Sequence, residues 1–184
     1  TLSTLNCECA GTMAQIRTRP LKTLRSRDGL ISFASIKTSQ NGEDGIIAEI
    51  FRRVPPSVPR SSSTNTNTTD NNEKRWCVDV GAWDGIHLSN TWSLLVENAD
   101  TWSGVLIEAD PERSQALRAL HEPLGNVTVT RLISCLQDSP RSLSNVLRDT
   151  HPSLPTSFDF ISIDVDGADY WLMDDLLRHY TVRR

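Results

Sequence analysis

Four short apolar runs, each followed by a segment of helical periodicity, constrain this chain more than any other feature of its 184 residues. The runs are Trp76–Val80, Gly104–Ile107, Val127–Ile133 and Phe158–Ile163. Between and after them, helical spacing marks Ser89 to about Asn98, a segment opened by Asp110-Pro111-Glu112, Ser142 to Asp149, and Ala168 to Tyr180. In the last of these Trp171, Leu172, Leu176 and Tyr180 share one side. A further helix precedes them, with Ile46, Ile47, Ile50, Phe51 and Val54 in phase and Pro55-Pro56 to stop it. Strict strand–helix alternation with short connections predicts an α/β fold, a parallel sheet with right-handed crossovers and helices on both faces. Ligands of such sheets bind at the carboxyl ends of the strands, where the strand order reverses. The residues just past each run are therefore the candidate site.

The flanking segments have a different character. Residues 1–36 lack sustained periodicity and read as a basic, loosely held arm rather than a secretory signal, because no apolar stretch accompanies Arg17, Arg19, Lys22, Arg25 and Arg27. Residues 61–72 are Ser, Thr, Asn and Asp throughout, too polar to offset the entropy of ordering, so 55–74 reads as a low-complexity insertion within one domain spanning 37–184. Residues 1–60 carry a net +4 and 61–184 a net −8. That acidity argues against nucleic acid as a partner, and no run of 18 apolar residues offers a membrane span. Cys77 and Cys135 fall in segments read as buried strands, where free thiols act as small apolar side chains. Cys7 and Cys9 have no second pair to complete a zinc site. These features together point to a cytoplasmic location. Asn67-Thr-Thr and Asn126-Val-Thr match the glycosylation pattern only formally.

Past the first run comes Asp79-Val-Gly81-Ala82-Trp83-Asp84-Gly85. Two glycines four apart let the backbone approach a ligand. The acid inside the strand end suits an ammonium better than a pyrophosphate, and the pattern is not the dinucleotide G-x-G-x-x-G. Past the second run comes Glu108-Ala109-Asp110. A carboxylate there can accept two hydrogen bonds from ribose hydroxyls. Asp110 is equally a helix N-cap, whereas Glu108 has no capping role to explain it. Past the fourth run Asp164, Asp166 and Asp169 fall within six residues, and helix capping accounts for at most one of them.

With Ser39-Gln-Asn-Gly-Glu-Asp-Gly45 added, these stretches resemble the class I S-adenosylmethionine-dependent methyltransferases, and more narrowly the FkbM-like family, from Ser39 to about Tyr180. The resemblance implies a Rossmann-like sheet of methyltransferase type with S-adenosyl-L-methionine as cofactor and O-methyl transfer as the reaction. It assigns Asp79, Gly81, Ala82, Trp83 and Gly85 to the methionine end, Glu108 to the ribose, and Ala109 or Asp110 to the adenine. Asp164 falls beside the sulfonium as the base, and Gln40 and Asn41 in a lid. Methyl transfer is an in-line displacement, so positioning of the acceptor and removal of its proton by a carboxylate supply the rate. Metal assistance by Asp164 and Asp166 is the alternative, and the methyl acceptor is not identified.

A sheet of this family continues with further strands where this chain stops at Arg184, so the resemblance implies a fold lacking the last strands. The fourth run then becomes an apolar edge, a site for self-association. Two other readings stand beside the methyltransferase. In one the chain is a degenerate half acting as a binding or dimerisation module. In the other Asp164-Val-Asp166 is the metal-binding D-x-D of a nucleotide-sugar glycosyltransferase.

Overall fold

The computed structural model describes residues 29–54, 74–150 and 154–182. The expected basic arm up to residue 28, nearly all of the polar insertion, Cys7, Cys9 and Asn67 lie outside the described residues. The elements that carry the fold are α1 (Glu43–Arg53), β1 (Arg75–Val80), β2 (Trp102–Glu108), α2 (Pro111–His121), β3 (Val127–Thr130), α3 (Leu143–Thr150), β4 (Ser157–Phe158), β5 (Phe160–Ile163), α4 (Asp169–His179) and β6 (Thr181–Val182).

The main sheet is parallel, in the order β3-β2-β1-β5. The chain steps outward from β1 to β3 and then returns to the far side of β1, so the order reverses between β1 and β5. Alternation along the strands divides the core in two. Val78, Val80, Val105 and Ile107 pack with Leu143, Val146 and Leu147 of α3 and Leu172 and Leu176 of α4. Cys77, Leu106 and Trp102 pack on the other face with Ile47 of α1, Leu94, Leu95 and Leu117 of α2. All seven residues of β2 are buried, as expected for an inner strand covered on both faces. No helix among the described residues is long and apolar enough to cross a membrane.

Several expectations need correction. Residues 29–36, the described end of the expected arm, are held by local contacts although none of them is buried. Leu30–Phe33 forms a 3₁₀ turn, the Arg53 guanidinium lies 4.8 Å from the Phe33 ring centroid, and Ser35 N–H donates to Gly42 O. Lys74, assigned to the insertion, belongs to the folded part, with its Nζ donating to Ala99 O. The helix expected over Ser89–Asn98 is only a π-type turn at Ser93–Glu97, because Ser89 and Thr91 are held in the preceding loop. The third strand ends at Thr130, where its neighbour β2 also ends, and Arg131 N–H makes a last bond to Glu108 O.

The fourth run is divided at buried Asp159, whose N–H donates to Trp76 O and whose carboxylate accepts from Trp76 N–H. Its first part pairs in parallel with β6, and only its second part joins β1. No strand among the described residues pairs with the outer edge of β5. On α4, Leu172 and Leu176 are buried, but Trp171 is 49 % exposed and does not share their face. Cys77 is a buried free thiol, held well above the ordinary range by burial and then by Asp79 and Asp159. Cys135 is different. It sits half-buried in a bend past β3 and is disulfide-bonded, so cysteine usage gives no argument for a reducing compartment.

Candidate functional site

The carboxyl ends of β1, β2 and β5 bring three of the expected residues together. Asp79 is the penultimate residue of β1, in register with Leu106 of β2 and Ser162 of β5. It is 4 % exposed and accepts from Thr91 Oγ1 at 2.6 Å. Burial pushes its carboxyl up from 3.8 to about 6. Hydrogen bonds from Thr91 and Ser162 oppose that rise, and the Asp164 and Glu108 carboxylates add to it. A buried acid raised this way has no countercharge beside it among the described residues, and a cation placed there would be favoured.

Gly81 and Gly85 are both needed by the turn that follows. Gly81 has φ +86°, and a Cβ there would lie 2.0 Å from Asp164 O, so only glycine lets the end of β1 pass against the end of β5. Asp164 N–H donates to Val80 O at 2.9 Å, and the Asp164 side chain is exposed at the strand end. Gly85 has φ +78° and packs against the ring of His121. Trp83 between them is also left-handed, at φ +53°, and is 39 % exposed, with the Arg113 guanidinium 4.0 Å from its ring centroid.

Glu108 does what the sequence could not show. Its Oε2 accepts from Trp83 N–H at 2.9 Å and its Oε1 from Asp110 N–H at 2.8 Å, so one buried carboxylate ties the loop after β1 to the loop after β2. Each oxygen keeps a further lone pair for a ligand hydroxyl. Asp110 caps α2, accepting from Glu112 and Arg113 N–H, and Ala109 is half-buried beside it. Asp169 accepts from Val165 and Gly167 N–H, which closes the loop ahead of α4. Asp166 is exposed at φ +55°. Burial of Asp84 is outweighed by bonds from the His87 ring and from Ile86 and His87 N–H, which hold its carboxyl low and keep it occupied within the turn. No group of three or more His, Cys, Asp and Glu side chains among the described residues has metal-binding geometry.

Gln40 and Asn41 are exposed on a loop that is anchored towards the site. Asp44, which the sequence offers only as part of the Ser39–Gly45 stretch, accepts from Lys37, Thr38 and Ser39 N–H and from Ser39 Oγ. Burial of its carboxyl is outweighed by these bonds, and the group sits below its ordinary value. Thr38 Oγ1 then donates to Ser89 O, two residues before the Thr91 that holds Asp79. The two cavities beside α1, of about 540 and 380 Å³, are lined by neither Asp79 nor Glu108. Asp44, Thr91, Asn126 and His121 are the contributors that sequence reasoning missed. Each acts through a partner distant in the chain or through backbone groups, and no periodicity marks them. Comparison with protein-family models, curated proteins and solved structures gives no match for this chain.

Proposed function

We propose that the chain binds S-adenosyl-L-methionine at the carboxyl ends of β1, β2 and β5 and belongs to an O-methyl-transferring, FkbM-like methyltransferase fold. The observation that carries this reading is the buried Asp79 carboxyl, raised to about 6 beside a glycine turn at the point where strand order reverses. A cationic ligand relieves it, and a sulfonium or an amino-acid ammonium group is such a cation. Asp79 and the 81–85 turn would hold the methionine portion. Glu108 has lone pairs left for ribose hydroxyls, and Ala109 and Asp110 flank the adenine position. The bound cofactor would supply an electrophilic methyl group. Asp164, exposed at the end of β5, would orient the acceptor and take its proton. Gln40 and Asn41, on the loop anchored through Thr38 to Ser89, would cover the cofactor.

Titration calorimetry of the folded chain with S-adenosylmethionine and S-adenosylhomocysteine tests this. Binding that weakens at least about tenfold in Asp79→Asn, the cost of losing roughly 1.4 kcal/mol of charge attraction, is the expected result. Absence of binding by either compound, or binding untouched by both Asp79→Asn and Glu108→Ala, overturns it.

A further inference from the structure

Under the glycine turn lies a buried ring nitrogen without a hydrogen-bond partner, His121 Nε2. His121 ends α2 and is fully buried. Its ring is pressed against the turn so closely that a Cβ on Gly85 would lie 2.4 Å from Nε2. The other ring nitrogen, Nδ1, is 3.3 Å from Asn126 Nδ2.

The proton on this ring can be located by elimination. Gly104 N–H, in the middle of β2, donates to Asn126 Oδ1 at 2.9 Å. A backbone N–H only donates, so the oxygen of the Asn126 amide must face Gly104 and its nitrogen must face the ring. An amide nitrogen also only donates, so Nδ1 accepts and the ring proton sits on Nε2, towards Gly85. Asn126 is held in place a second time by its own N–H, which donates to His121 O at 3.1 Å. A continuous path thus runs from β2 through Asn126 and His121 to the turn that follows β1. It also removes Asn126 from consideration as a glycosylation site on the folded chain, since its amide is buried and engaged.

We propose that neutral His121 is a positioning residue that ties the 81–85 turn to β2, and that protonation at Nδ1 breaks this tie at Asn126. A proton on Nδ1 sets two donors face to face. Asn126 must then rotate, and its oxygen leaves Gly104 N–H unpaired inside the sheet. Burial already disfavours the charged ring, and only the Gly85 backbone acts in the opposite sense. The ionisable neighbours on its own segment, Arg118 and Glu122, are engaged at the surface with Thr130 and Thr128. From the elements packed against the ring come Gly85 and Asn126, neither of them charged, and Asp84 beside Gly85 is engaged with the His87 ring and with Ile86 and His87 N–H. The turn is therefore coupled to pH through this ring, and ligand binding at the strand ends, if the reading of that site above holds, weakens as the solution is acidified.

Nuclear magnetic resonance of the whole chain between pH 8 and 5 tests the coupling without any ligand. The expected spectrum shows the Nε2–H tautomer at pH 8, with the Gly85 and Gly104 amide shifts moving together with the His121 ring at acid pH. In His121→Gln that movement vanishes, whereas in Asp79→Asn it persists, which separates it from the titration of Asp79. An Nδ1–H tautomer in the native protein, or glycine amides indifferent to the ring, overturns the proposal even if the glutamine variant fails to fold. A second arm uses S-adenosylmethionine: its Kd should rise by up to about tenfold per pH unit in the native chain once the ring begins to charge, and by less in His121→Gln. If that compound binds at no pH, the functional reading fails while the resonance result still decides the role of His121.

Discussion

Replacing Asp79 by asparagine should make the protein more stable, and the size of the gain follows from its surroundings. The carboxyl is raised from 3.8 to about 6 by burial, with Asp164 and Glu108 adding to the cost of its charge. For an acid whose folded value lies above its unfolded one, the sign is fixed. Below about pH 3.8 the group is protonated in both states and imposes no penalty. As pH rises towards 6 the unfolded chain ionises first, and the folded state loses stability across that window. Above about 6 the penalty is complete, and the gap of about two pH units corresponds to roughly 3 kcal/mol at neutral pH. Asparagine is nearly the same shape, keeps an oxygen for Thr91 Oγ1–H, and carries no charge. Urea unfolding at pH 7.5 should therefore show the variant about 2–3 kcal/mol more stable than the native chain. The difference should shrink towards zero near pH 4, and any contribution from His121 cancels between the two proteins. A variant less stable at pH 7.5, or a difference that does not change with pH, would refute the reasoning, because the fold would then need the ionised carboxylate. A residue that weakens the empty fold while sitting in a candidate site is expected where binding rather than stability keeps it.

Other outcomes follow from the same geometry. Gly81→Ala forces a Cβ to within 2.0 Å of Asp164 O at φ +86°, and thermal unfolding should show a loss above about 3 kcal/mol or no folded protein. Asp110→Ala removes the cap on Glu112 and Arg113 N–H and should cost about 1 kcal/mol in chemical denaturation, with the α2 amides exchanging faster. Glu108→Gln turns one of the two loop contacts into donor against donor, so amide exchange at Trp83 or Asp110 should accelerate even without ligand. The outer edge of β5 should support concentration-dependent association in sedimentation, and Ile163→Lys should suppress it.

How much of this was legible beforehand depends on the range over which each residue acts. The alternation of apolar runs and helical segments, the cap at Asp110 and the glycines at 81 and 85 are local properties, and the chain displays them in its own neighbourhood. Strand ends depend on neighbours that lie far away in the chain. Val127–Ile133 was expected to be one strand, but a strand lasts only as long as its neighbour, and β2 stops opposite Thr130. The fourth run was expected to be continuous, but Asp159 turns its backbone towards Trp76 and divides it.

The candidate site repeats that division. Asp79 and Glu108 were visible as acids that burial makes costly, but the chain alone could not show which groups relieve the cost. For Glu108 they are two backbone N–H groups from different loops, so the residue proposed to hold a ribose also builds the loops that would surround it. For Asp79 they are two hydroxyls, Thr91 and Ser162, too few to offset its burial among acids. This contrast separates the two carboxylates. Glu108 is satisfied without a ligand, and its loss should damage the empty site. Asp79 is not, and its loss should damage only the occupied one. A comparison of Asp79→Asn and Glu108→Gln, unfolded with and without S-adenosylmethionine, therefore distinguishes a binding group from a scaffold group. The added compound should stabilise Glu108→Gln in proportion to whatever affinity remains, and at saturating concentration should stabilise Asp79→Asn by at least about 1.4 kcal/mol less than the native chain. Equal stabilisation of both variants would assign the cation's partner elsewhere at the strand ends, with Asp164 the remaining carboxylate in reach.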